Sequence, residues 1–235
     1  MPDGRREPGP RAVLLDIDGT LATGSSAHLA ALLDAAWDVL GLRLELEMVG
    51  ERPHIGGLDV TGWIDAQVLR MLIDRAGDAA ARPSLQTLVE RYVGTYAGRL
   101  DAGTAQVGKV VPGAAQVLER LESRGTPLGL VTGNVHGVAR LKLAGLGLDR
   151  WFSFDRDAGF GDWRSSRADL PAAAAARLGV ALGPEVWLVG DTRADMAGAR
   201  GAGLTAIGVL TGGDDEEGLR AAGADLVLPS VAGLP

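Results

Sequence analysis

An α/β fold, in which helices cover both faces of a parallel sheet and an all-helical segment is inserted near the start, follows from three features of the sequence. A short apolar run, Ala12 to Leu15, ends directly in an acid, as a strand buried on both faces of a parallel sheet does. Beyond Pro112-Gly113, apolar runs of strand length alternate with stretches of helical periodicity, the pattern of a parallel sheet that binds ligands at the carboxyl ends of its strands. Between the two, from Ala22 to roughly Ala105, only helical periodicity is evident, so this segment is expected to form a separate unit.

In chain order, Met1 to Arg11 is rich in Pro, Gly and Arg and reads as a disordered tail. After the first strand, Leu29, Leu32, Leu33, Ala36, Trp37 and Leu40 line one helix face, with Ser25 or Ser26 as the N-cap. A second helix is expected from Asp59, burying Ile64, Val68, Met71 and Leu72. A third starts at Ser84 and aligns Leu85, Leu88, Val89, Tyr92, Val93 and Tyr96. The alternation then runs as helix 114–124, strand 128–131, helix 135–146, short strand 152–154, helix 168–178, strand 186–189, helix 195–202, strand 206–209, helix 216–222 and strand 226–228. The sheet is therefore Rossmann-like, built from residues 1–21 and 106–235 around an insert of residues 22–105.

Composition narrows the chemistry. With 46% apolar residues the chain can bury a sizeable core, and its net charge of −7 argues against a nucleic-acid or membrane-surface binder. No stretch is apolar enough to span a bilayer, so a soluble, cytoplasmic protein with a small-molecule partner is expected, as monomer or homodimer. Cysteine is absent, so a bound metal would have oxygen or imidazole ligands, which suits a hard cation such as magnesium.

The acids are the informative residues. Asp16 and Asp18 follow the first strand, and Asp191 and Asp195 follow the run Val186 to Val189. Four carboxylates at strand ends call for a cation. Strand periodicity places Asp16 and Asp18 on one side, and Gly19 lets the chain turn away. Thr132, Gly133 and Asn134 sit between a buried strand and a helix, where a hydroxyl and backbone N–H groups make an anion site.

Asp16-Ile17-Asp18-Gly19-Thr20-Leu21, Val131-Thr132-Gly133-Asn134, a basic residue at Arg167 and Gly190-Asp191-Thr192-Arg193-Ala194-Asp195 resemble, in order, the four motifs of the haloacid dehalogenase superfamily. The resemblance runs from Ala12 to Leu228 and implies a phosphatase-type active site under a helical cap. Asp16 would be the nucleophile that forms an aspartyl-phosphate, and Asp18 the acid and base. Thr132, Gly133 and Asn134 would bind phosphoryl oxygens. Magnesium would be held by Asp16, Asp191 and the Asp18 carbonyl, with Asp195 on a metal-bound water. Arg167 stands where the family often has a lysine before a proline; Arg164 is its rival and Lys142 a more distant one.

Asp18 speaks against the dehalogenase branch, which lacks the second aspartate. Lys109 and Lys142 are the only lysines and both lie outside the insert, which sets aside the branch that uses an insert lysine. The expected activity is hydrolysis of a small phosphate monoester. A sugar-phosphate mutase of the beta-phosphoglucomutase kind, or a non-catalytic phospho-acceptor or scaffold, is the alternative. His28 and His136 are expected on exposed helix faces, His54 in a loop that could reach substrate, and Trp63 in the core of the insert. Gly56 and Gly57 are expected to let that loop approach the cleft.

Overall fold

The computed structural model describes residues 9–50, 52–77, 84–154, 159–163 and 166–235. Most of the expected tail, and Arg164, lie outside the described residues. A five-stranded parallel sheet forms the centre, with strands β1 (Ala12–Leu15), β7 (Leu128–Leu130), β8 (Val186–Gly190), β9 (Thr205–Val209) and β10 (Leu226–Leu228) in the order β10-β9-β8-β1-β7. The sheet grows from β1 to β7 on one side and to β8 on the other, and this reversal opens a crevice at the strand ends around β1.

Strand periodicity assigns the two faces of β1. Val13 and Leu15 pack with helices α4 (Ala114–Ser123) and α5 (His136–Leu146), whereas Ala12 and Leu14 pack with α6 (Leu170–Leu178), α7 (Arg193–Gly201) and α8 (Glu216–Ala221). All four β1 residues are fully buried, which explains why the run is continuously apolar.

The inserted segment contributes α1 (Ala27–Leu40), α2 (Asp65–Ala76) and α3 (Leu85–Asp101), packed around Leu32, Leu69, Leu72, Leu88, Tyr92 and Tyr96. Ser84 caps α3 by accepting from the Thr87 N–H, as expected. At α1 it is Ser25, not Ser26, whose hydroxyl accepts from Ala27, and the same hydroxyl donates to the Gln106 carbonyl at 2.6 Å. The start and finish of the insert are further tied by a short antiparallel pair, β2 (Ala22–Thr23) with β6 (Lys109–Val110).

Three local expectations are corrected. The segment is not uninterrupted helix, because β3 (Leu46–Val49), β4 (Arg52–Ile55) and β5 (Leu58–Asp59) form a small antiparallel sheet, and α2 starts at Asp65 rather than near Asp59. Strands of two to four residues, partly exposed on both faces, carry too little alternation to be read from sequence. Residues 152–154 form no strand; a 3-10 turn, Asp149–Trp151, precedes them, and Phe154 stacks on Phe160 instead.

Candidate active site

Three neighbouring strands deliver the site. Asp16 follows β1, Asp191 follows β8 alongside it, and Thr132 lies just beyond β7 on the other flank. The Leu15–Val189 register and the hydrogen bond from Asp16 N–H to the Val189 carbonyl set the first two acids side by side, one strand spacing apart. Gly19 adopts φ 79°, and a Cβ there would lie 2.3 Å from the Asp191 carboxylate, so only glycine allows this close approach.

Asp16, Asp191 and Asp195 are all buried and offer carboxylate oxygens within 4.8 Å of one another, a group that could hold a metal ion. Asp195 sits in the first turn of α7, where its Oδ2 accepts from the Thr192 N–H and hydroxyl in a capping box while Oδ1 faces Arg167. It thus combines the capping role with membership of the acid group. Asp191 accepts from the Gly213 N–H at 2.9 Å. Arg167 donates to Asp16 Oδ2 at 2.7 Å and to Asp195 Oδ1 at 2.5 and 2.8 Å, and is itself buried. Burial pushes the Asp16 carboxyl up to about 7; Arg167 opposes this, while Asp195 and Asp18 add to it. Burial, then Asp16 and Asp195, also raise Asp191. Asp16 Oδ1 is buried without a hydrogen-bond partner among the described residues. A buried cluster of three acids and one arginine, with an unpaired oxygen and only oxygen donors, fits a hard divalent cation.

The expected convergence of four carboxylates is corrected to three. The Asp18 side chain does not join the acid group; it accepts from Lys142 Nζ at 2.5 Å. Because β1 ends at Leu15, strand alternation no longer governs the direction of Asp18, which is partly exposed. Burial pushes its carboxyl up, but Lys142, by charge and hydrogen bond, prevails and holds it below the usual range. Lys142, expected at most as a rival base, is fully buried on α5. His28 is likewise buried, contrary to expectation, and burial followed by Lys142 lowers it to about 3, so it is neutral. Helical spacing could have put Lys142 on a core-facing position, but it does not reveal Asp18 as its partner.

Thr132 and Asn134 are buried at the tip of β7, with the Asn134 N–H donating to Thr132 Oγ1 at 3.3 Å. A Cβ on Gly133 would lie 2.6 Å from the Trp63 carbonyl and 3.0 Å from the Arg167 guanidinium. The inserted segment is docked on this loop. Asp65 N–H donates to the Gly133 carbonyl at 2.8 Å, and Asp65 Oδ2 accepts from the Val135 N–H at 2.9 Å and from the Tyr92 hydroxyl at 3.1 Å. Arg52 of β4 also reaches Asp214 at 2.9 Å.

Asp65 makes the docking sensitive to pH. Burial raises its carboxyl to about 7 despite the bonds from Val135 and Tyr92 that favour the charged form. A raised folded-state value means that the folded protein holds a proton the unfolded chain has released. This contribution is present in full below about pH 4, is lost as pH rises towards 7, and is level above. Asp65→Asn, which keeps an acceptor for both donors, should flatten the corresponding part of the stability profile, worth roughly 4 kcal/mol for a shift of that size. Urea titrations of both proteins between pH 4.5 and 8 check it, and parallel profiles would contradict it.

A cavity of about 410 Å³ lies over the strand ends, lined by Asp16, Asp18, Thr132, Arg167 and Asp191 below and by Ser25, His28, Met48, Thr61 and Trp63 above. Gly133 and Asn134 line it as well. Trp63 serves both the cavity wall and the core of the insert. His54 does not line it, and its Nδ1 lies 3.2 Å from the Arg52 carbonyl. Gly56 and Gly57 form the β4–β5 turn and do not line it either. No helix among the described residues is long and apolar enough to cross a membrane.

Fold and site together define an α/β enzyme with its acids gathered at the carboxyl edge of a parallel sheet beneath a cap-like helical region. The chain belongs to the haloacid dehalogenase-like hydrolases, whose family model matches residues 10–203. It is similar to the phosphoglycolate phosphatase of Pectobacterium atrosepticum, 30% identical over 229 residues that cover 94% of this chain and 89% of the relative. Among solved structures it resembles a hydrolase from Pseudomonas syringae, with TM-score 0.66, 24% identity and 94% of each chain covered. A beta-phosphoglucomutase from Clostridium difficile shares the fold at TM-score 0.67 and 20% identity, with 96% of this chain and 93% of that one covered.

Proposed function

We propose that the protein is a magnesium-dependent phosphomonoester hydrolase working through an aspartyl-phosphate, with residues 1–21 and 106–235 as the catalytic core and residues 22–105 as a cap. The observation that carries this reading is the buried Asp16, Asp191 and Asp195 group, with Arg167 bonded to Asp16 and the Thr132 loop on the opposite flank. Asp16 and Asp191 would hold magnesium, with the Asp18 carbonyl and Asp195 in support, and the ion would neutralise the repulsion between carboxylate and phosphoryl group.

The chain's own residues divide the remaining work. Thr132, Gly133 and Asn134 bind phosphoryl oxygens at the β7 tip, and Arg167 orients the Asp16 carboxylate through Oδ2. Asp16 attacks phosphorus and the ester bond breaks. Asp18 gives the leaving oxygen its proton, then takes one from the water that hydrolyses the aspartyl-phosphate. The arriving phosphate opposes Lys142 electrostatically and so raises the proton affinity of Asp18 when a donor is needed. The cap, docked through Asp65 on the Gly133 loop, excludes water from the cavity.

The substrate is a small phosphorylated metabolite, and 2-phosphoglycolate is the first candidate because the relatives at about this level of identity carry that name. A panel of phosphate esters assayed with and without magnesium tests the reading. Chelation should abolish phosphate release and magnesium restore it. Independently of turnover, magnesium at a hundredfold excess over its dissociation constant should stabilise the protein by about 2.7 kcal/mol. Phosphate release indifferent to chelator, or a melting temperature unmoved by magnesium, would count against the metal assignment.

A further inference from the structure

We infer that Lys142 is a positioning residue for the reaction: it anchors Asp18 so that this carboxyl meets the leaving-group oxygen. The inference rests on the hydrolase reading above and adds a residue that none of the four motifs contains. Lys142 lies in the second turn of α5, ten residues beyond Thr132, and is completely buried. A buried ammonium costs several kcal/mol unless it is well paired, and at this position an apolar side chain would serve packing better. Its Nζ donates to Asp18 Oδ2 at 2.5 Å.

The pairing settles a problem that the strand end leaves open. Asp18 lies three residues past the end of β1, outside the main sheet and in an isolated bridge with Ala22, and more than a third of its side chain is exposed. Lys142 donates to it, and Asn134 and His28 line the same cavity. With Oδ2 tied to Lys142, the carboxyl is held at the wall of the cavity that Asp18 lines. Proton delivery requires hydrogen-bond reach, so a carboxyl free to rotate into solvent would lose most of its effect. Asp16 is not served in this way, because Arg167 holds it separately.

The consequence is a dependence on the leaving group that a general structural role would not produce. An alkoxide needs a proton as it departs, whereas p-nitrophenolate leaves without one. In Lys142→Met, the first turnover of 2-phosphoglycolate, or of whichever alkyl phosphate the wild type handles best, should slow by about 100-fold. The burst of p-nitrophenolate from p-nitrophenyl phosphate should change by less than about threefold, since attack by Asp16 is untouched. In an Asp18→Asn background, Lys142→Met should add no further loss on the alkyl ester. Lys142→Gln keeps a donor to Asp18 and should retain more alkyl activity than Lys142→Met; it also carries the test if the methionine variant does not fold. Equal losses on both substrates, unchanged alkyl turnover, or additive losses in the double variant would overturn the assignment. A wild-type protein inactive on every ester, p-nitrophenyl phosphate included, would instead defeat the hydrolase reading itself.

Discussion

Asp16→Asn is expected to abolish turnover, by roughly 10⁴- to 10⁶-fold in kcat, while leaving the fold intact. The amide keeps the size of the carboxyl and can still accept from Arg167, so the packing around β1 has no reason to change. What it loses is the nucleophile. Without a bound cation the substitution should stabilise the protein, because three buried acids face one guanidinium among the described residues and Asp16 is held up near 7 by burial and by its acidic neighbours. Wild type quenched in acid during turnover of a labelled ester should retain label that hydroxylamine removes, and Asp16→Asn should retain none. A variant that kept near-normal phosphatase activity would rule out the covalent route.

Why the acids could be found from sequence, and the small antiparallel sheet and the Lys142–Asp18 pair could not, has a physical basis. Strands β1 and β8 are buried on both faces, so they appear as continuous apolar runs, and the residues just after such a run lie at the carboxyl edge where a parallel sheet presents its ligands. Asp16, Asp191 and Thr132 lie at that edge, and Asp195 one helical turn further on. Asp18 differs, because period two ends with the strand and the direction of the next side chains depends on tertiary partners. One of those partners, Lys142, stands 124 positions away in the chain. The same limit hid the β3–β4–β5 sheet, whose strands are short and half exposed, and made His28 look like a surface residue when α1 turns it towards the cavity.

Arg167→Ala is expected to be the most damaging single change outside Asp16, because it acts on stability and catalysis together. In wild type the guanidinium is the positive charge among Asp16, Asp191 and Asp195, and its own pKa is raised by Asp16 and Asp195 despite burial. Removing it leaves buried carboxylates uncompensated, a change that typically costs about 3–5 kcal/mol. The loss should be largest at neutral pH, where those acids are most charged, and smaller under mildly acidic conditions where Asp16 takes up a proton. Magnesium should recover part of the stability by supplying the missing charge. It should not recover the rate, since Asp16 would no longer be oriented through Oδ2; a loss on the order of 10³-fold in kcat is expected. Arg167→Lys should sit between the two, keeping the charge but unable to bridge Asp16 and Asp195 with a planar fork. Thermal melts with and without magnesium, beside kcat for both variants and for Arg164→Ala, check the ranking. If Arg164→Ala proved the more damaging, the third motif would belong to Arg164, and the Arg167 bridge would be an ion pair of the fold alone.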